Sequence, residues 1–242
     1  MKRFASFAAM SPLFVLATAA CGANITPLDD DHFKFTMLAD FENGPNLSPN
    51  PLWEGNVTSD VDHSMVPAGY KMTFEMPALS PPRTNPDGTV STKALHVAEE
   101  GRYTLWGTVV LSDLHNHFAV DLSSFVGISI WARSAGKPGQ TVRVAFADHG
   151  SYDQVAGAAQ LCDPLNGSSP DSCFDDYGTK IYPDGVWRRY DVPFSQMTTG
   201  GWGYPHPFDV RRIYRLKIEM PASTIYDLWF DDAAFYTNAI TN

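Results

Sequence analysis

The chain has 242 residues, 44% of them hydrophobic and only 18% charged, with a formal net charge of −10. That length and apolar content allow one sizeable core. The acidic balance argues against a nucleic-acid reader, which presents a basic face, and suits neutral ligands or cations. Aromatics reach 13%, and with 18 Gly, 18 Pro and no sustained helical period beyond the first twenty residues they favour strands and turns over helices.

In chain order, Lys2 and Arg3 lead into an apolar stretch, Phe4 to Ala20, interrupted by Ser6, Ser11 and Pro12. It is too short and broken for a membrane span and reads as a secretory signal over residues 1–20. The run Leu16-Ala17-Thr18-Ala19-Ala20-Cys21 resembles a bacterial lipoprotein box, with Cys21 as the lipidated residue; ordinary cleavage beside an incidental cysteine is the alternative. Acyl chains would hold the protein on a membrane. Gly22, being non-acidic, points to the outer membrane of a Gram-negative envelope. Residues 21–35 form an acidic tether, 36–237 a β-sandwich module and 238–242 a tail.

The module opens at Phe33 to Phe41. Asn43 to Pro51 and the Pro-rich stretch Pro77 to Ser91 read as loops. Ala94 to Ala98 and Tyr103 to Leu111 alternate as strands do. Gly127 to Arg133 places Ile128, Ile130 and Ala132 on one face and Ser129, Trp131 and Arg133 on the other; Thr141 to Asp148 places Val142, Val144, Phe146 and Asp148 together. Trp187 to Phe194 follows a Pro-Asp-Gly turn, Arg215 to Met220 alternates apolar in and charged out, and Leu228 to Phe235 closes the set. About eight strands without intervening helices predict an all-β fold: a two-sheet antiparallel β-sandwich of jelly-roll type.

Three cysteines are present. With Cys21 assigned to the anchor, Cys162 and Cys173 remain, flanking a loop of turn-forming residues. An exported chain meets an oxidising compartment, so a disulfide is expected, and the spacing does not suit a redox or metal CxxC pair.

Several motifs together resemble a known group. They are Asp40-Phe41-Glu42, the Gly127-to-Ala132 strand, Val144-Ala145-Phe146-Ala147-Asp148, the Cys162-to-Cys173 loop, Trp187 through Ser195, Gly201-Trp202-Gly203, and Asp227-Leu228-Trp229-Phe230-Asp231-Asp232. They are similar to the galactose-binding-like jelly rolls, nearest to carbohydrate-binding module family eleven and the domain of the complex I intermediate-associated protein. The resemblance covers about residues 36 to 237. It implies a β-sandwich, often with structural calcium and sometimes with a glycan-binding concave face.

Asp40 and Glu42 share a strand face, and Asp231 and Asp232 end the last strand. If the chain ends pair, these four carboxylates supply charged oxygens for a calcium ion; solvated rim acids are the alternative. Asp60, Asp62 and His63 read as a solvated acidic loop. Sugar recognition needs a rigid aromatic face beside planar polar groups, and the candidates are Tyr103, Trp106, Asp148, Tyr152, Asp153, Trp202, Tyr204 and His206. Trp202, flanked by glycines, has little local packing to bury it, whereas Trp131, Trp187 and Trp229 read as core or inner-face packing. His115 and His117 read as loop histidines. No Gly-x-Ser-x-Gly, His-Glu-x-x-His or phosphate-loop motif is present. Glycoside hydrolysis would need an acid pair that spacing alone does not define. The expected function is non-catalytic glycan binding. A protein-interaction lipoprotein of the same fold is the alternative, and a jelly-roll hydrolase or lyase a weaker third.

Overall fold

The computed structural model describes residues 32–136, 140–153, 162 and 173–238. The signal segment, Cys21 and most of the tether lie outside the described residues. Among the described residues thirteen strands follow one another: β1 (Phe33–Ala39), β2 (Val57–Val61), β3 (Thr73–Glu75), β4 (Ala78–Thr84), β5 (Val90–Lys93), β6 (Leu95–Glu100), β7 (Thr108–Asp113), β8 (Gly127–Ser134), β9 (Val142–Asp148), β10 (Tyr177–Ile181), β11 (Arg188–Pro193), β12 (Ile213–Met220) and β13 (Ile225–Asn238). The described residues contain no α-helix. One sheet runs β11-β8-β13-β6-β3, with β1 also on β13; the second runs β10-β9-β12-β7-β2; β4 and β5 form a separate two-stranded arm. All the strand pairs are antiparallel. The fold is the expected all-β jelly-roll sandwich, with more strands than the eight expected.

Alternation gives each sheet its buried face. Ile128, Ile130, Ala132, Leu228 and Phe230 of the first sheet meet Val142, Val144, Phe146, Leu216 and Ile218 of the second in one core. Phe235 sits amid aromatic rings, with centroids of Trp53 and Phe125 both 5.3 Å away and Phe146 at 5.9 Å.

A β-bulge between Asp231 and Ala234 changes the phase of β13. Before it Leu228 and Phe230 face the core; after it Ala233 and Phe235 do. The extra residue lets two consecutive acids, Asp231 and Asp232, reach the same partner on the outer side.

Three local expectations need correction. Pro77 to Ser91 is not a free loop: it holds β4, the whole turn of the β4–β5 arm and the start of β5, and Pro81 and Pro82 fall where the pairing register is interrupted, so their missing donors break no ladder bond. The strand expected from Tyr103 starts only at Thr108, because Gly107 turns the chain at φ +97°, where an added Cβ would stand 2.4 Å from the Met220 carbonyl oxygen. In β12, Lys217 is buried rather than outward-exposed, paired with buried Asp176.

Candidate ligand-binding site

The loop between β11 and β12 carries Trp202, Tyr204 and His206, and two buried carboxylates fix its course. Asp175 is the first. Its Oδ1 accepts from the Gly200 amide at 2.6 Å, and its Oδ2 accepts from the amides of Trp202 and Gly203, both at 2.9 Å. Gly201 occupies the left-handed region at φ +81°, and a Cβ on Gly200 would meet the Trp202 ring at 2.8 Å. The backbone is thus tied inward while the Trp202 side chain turns outward, 59% exposed. Tyr204 is also exposed, on the same loop.

Asp148 is the second carboxylate, at the end of β9 and fully buried. Its Oδ1 accepts from the Gly150 amide at 2.9 Å and from His206 Nε2 at 2.8 Å, and its Oδ2 accepts from the Asp209 amide at 2.8 Å. His206 Nδ1 faces the Tyr204 carbonyl at 2.7 Å. Both ring nitrogens therefore meet acceptors, an arrangement that calls for the doubly protonated imidazolium. Burial alone would depress this imidazole, but the hydrogen bonds to Asp148 and Tyr204 outweigh it and its pKa is raised. A raised histidine contributes stability that is fully present below the unfolded value of about 6.5 and is lost as pH rises through the folded value. The melting temperature is expected to fall as pH rises above about 6.5, and His206→Gln to flatten that slope. An unchanged slope in the variant would show that this pair is not the source.

Asp176 supports the same corner, pairing with Lys217 and accepting from Ser151 Oγ at 2.5 Å. The Cys162–Cys173 disulfide is formed, with Cα atoms 5.1 Å apart, and leads directly into Phe174, Asp175 and Asp176. The Phe174 amide donates to the Ser151 carbonyl at 2.9 Å. These ties join the disulfide loop to the Trp202 loop.

The remaining candidates fall elsewhere. Tyr152 is 1% exposed: its ring stacks on Tyr214 at 4.9 Å, and its hydroxyl meets His117 Nδ1 at 2.5 Å and Arg215 Nη2 at 2.9 Å. It packs the outer side of the second sheet and offers no open ring face. Asp153 is half-buried, and its Oδ1 has no hydrogen-bond partner among the described residues. Tyr103 is buried against Tyr70. Trp106 is exposed but lies at the other end of the sandwich, because the antiparallel register places Thr108 opposite Met220 and Asp113 opposite Arg215. Strand register thus gathers Asp148, Trp202, Tyr204 and His206 at one end and excludes Tyr103 and Trp106 from it.

The Trp106 loop repeats the device seen at Trp202. Asp62, expected as a solvated acid, is buried, and its Oδ2 accepts from the amides of Leu105, Trp106 and Gly107 at 2.8–3.0 Å. Burial works against its ionised form, yet the hydrogen bonds from Ser64 and these amides lower its pKa.

The four expected calcium ligands do not converge. Glu42 Oε1 accepts from the amides of Thr92 and Lys93 at 2.6 and 3.0 Å. Asp40 Oδ1 caps the Glu42 amide at 3.2 Å. Asp231 and Asp232 both face Arg83, whose Nη2 lies 2.7 Å from Asp231 Oδ2. Burial and the neighbouring Asp232 push Asp231 up to about 7, against the pull of Arg83. A guanidinium already supplies the positive charge here, and among the described residues no group of three or more His, Cys, Asp or Glu is placed to hold a metal. These four carboxylates thus do not form one shared ligand set. With these carboxylates already engaged by amides and by Arg83, a chelator is expected to leave the melting temperature unchanged. A fall reversed by added calcium would contradict this.

Trp131, Trp187 and Trp229 lie on the outward side of the first sheet, not in the core, and each is half-buried. Arg83 Cζ lies 4.6 Å from the Trp131 ring centre and 5.5 Å from that of Trp187; Arg133 Cζ lies 5.3 Å from Trp187 and 4.8 Å from Trp229. His96 stacks on Trp229 at 4.3 Å. The signal was the phase of β8, in which Trp131 travels with Ser129 and Arg133 rather than with the isoleucines.

No protein-family profile and no curated protein matches the chain. Solved structures do. A family 11 carbohydrate-binding module studied in solution, CtCBM11, is 16% identical over 86% of this chain and 96% of its own, with a TM-score of 0.52. A family 11 module from Clostridium thermocellum in complex with a β-1,3-1,4-mixed-linked tetrasaccharide is 15% identical over 84% and 95%, TM-score 0.46. The family 30 module of the Clostridium thermocellum cellulosomal cellulase Cel9D-Cel44B is 15% identical over 82% and 98%, TM-score 0.45. The jelly-roll fold of this chain is thus similar to that of the family 11 module studied in solution.

Proposed function

We propose that this chain is a non-catalytic glycan-binding module, exported by its N-terminal signal and held in the cell envelope, at the outer membrane, through lipidated Cys21. The observation that carries the binding reading is Trp202, an exposed indole on a loop whose amides are tied to buried Asp175. A sugar ring stacks best on an aromatic face that is already ordered, because no loop entropy is lost on binding. Tyr204 widens the apolar surface beside it. The fold shared with a family 11 carbohydrate-binding module supports the same reading.

The nearby carboxylates favour binding over hydrolysis. Asp148 and Asp175 are buried and engaged with backbone amides and His206, and Asp176 is paired with Lys217. Groups so engaged position a loop; they are not a facing acid pair open to a glycosidic bond.

A second reading, a protein-interaction lipoprotein, is favoured by the opposite end, where Leu105 and Trp106 are both exposed on the loop tied to Asp62. Electrophoresis of the purified chain through gels cast with neutral and acidic polysaccharides separates the two. Retardation by one glycan class supports the module reading; uniform mobility across the panel moves the assignment to the protein partner.

A further inference from the structure

We propose that Arg133, held between Trp187 and Trp229 on the outward face of the first sheet, recognises the carboxylate of a uronic-acid-containing oligosaccharide. This inference rests on the glycan-binding reading and adds a second contact surface, for an acidic ligand, at the β11-start end of the first sheet, apart from the Trp202 loop that follows the end of β11.

Strand register builds the site. Arg133 pairs directly with Trp229, and the Arg188–Ala132 pair brings Trp187 beside it from the neighbouring strand. Trp229 in turn pairs with His96. The result is one row across four strands, an indole on each side of a guanidinium and an imidazole beyond.

The cations of this face differ in one respect. Arg83 is neutralised by Asp231 and Asp232, and Arg189 by Asp191, its Nε 3.1 Å from Asp191 Oδ2. His96 stands between Glu75 at 3.1 Å and Asp227 at 2.9 Å. Among the described residues Arg133 has no carboxylate at ion-pair distance, and its Nε is buried without an acceptor. The residue nevertheless keeps contact with solvent.

A guanidinium clamped between two rings has its planes covered and offers hydrogen-bond donors at its edge. That edge matches the planar two-oxygen geometry of a carboxylate. The indole walls exclude water and strengthen a charge-assisted bond made there, and they give the attached sugar ring apolar surface to lie against. The formal charge of −10 opposes an anionic ligand at long range, and Asp227 and Glu75 mark the acidic far end of the row. Selectivity therefore depends on direct contact with Arg133.

The test is calorimetric titration of the full chain, and of its Arg133→Gln and Arg133→Lys variants, with tetragalacturonate, with cellotetraose as the neutral comparator and dextran sulfate as a second anion. The expected result is binding of tetragalacturonate that weakens at least about tenfold in Arg133→Gln, the loss of one charge-assisted contact, with an intermediate loss in Arg133→Lys. The lysine variant keeps the charge and serves if the glutamine variant fails to fold. Tetragalacturonate binding that is indifferent to both substitutions overturns the proposal, as does dextran sulfate binding with the same dependence on Arg133. Binding of cellotetraose alone overturns this proposal while leaving the glycan reading intact. Absence of binding to every glycan defeats the glycan reading, and this proposal with it.

Discussion

Trp202→Ala is expected to abolish retention of a neutral glycan bound at the β11–β12 loop while shifting the melting temperature by no more than about 2 °C. An exposed side chain outside the core contributes within about 0.5 kcal/mol to stability, which in a domain of this size is about 1–2 °C. An aromatic anchor at a binding centre carries about 2 kcal/mol or more of the interaction, roughly thirtyfold in affinity. The two effects separate because the loop is held by its backbone. The amides of Gly200, Trp202 and Gly203 reach Asp175 whatever side chain stands at position 202. A large fall in melting temperature would show that the indole packs as core. Retention equal to the parent chain would remove it from the site.

Asp175→Ala is expected to do the reverse in order of size. It leaves three amides without their acceptor in a partly buried loop. The loss is about 3 kcal/mol, a drop of roughly 6–10 °C. Glycan affinity falls as well, because Trp202 then stands on a loop that must be ordered on binding. Asp175→Asn retains one carbonyl oxygen and is expected to lose less of both. A stable Asp175→Ala chain with full affinity would mean that the carboxylate does not set the course of the loop.

The difference between these two residues shows what the sequence could convey. Trp202 was legible because glycines on both sides leave an indole nothing local to pack on. Asp175 was not, since its partners lie 25 to 28 positions along the chain. The same holds for the acids at the chain ends. Arg83 and Asp231 are 148 positions apart, and no local pattern announces that a guanidinium meets the two carboxylates. Alternation placed the faces of β8 and β9 well, because side chains on a strand repeat every second residue. It could not say whether the face opposite the isoleucines is covered or open, so the tryptophans of the first sheet were read as packing. Nor did it reveal that Tyr214, His117 and Arg215 close around Tyr152, which turns an expected sugar platform into a buried ring.

Sequence alternation also fails where a bulge changes its phase. Between Asp231 and Ala234 the inward positions of β13 switch from even to odd numbers. The bulge decides what the acids do, because it presents them together to Arg83 rather than to opposite sides of the sheet.

The central claim, that an ordered indole on the β11–β12 loop contacts the glycan, is tested most directly by following the indole N–H signals of the six tryptophans by two-dimensional NMR during titration with the oligosaccharide that the gels identify. The Trp202 signal is expected to move in step with saturation, while that of Trp53, buried in the core, stays in place. Movement confined to Trp106, or a Trp202 signal unchanged at saturation, would contradict it.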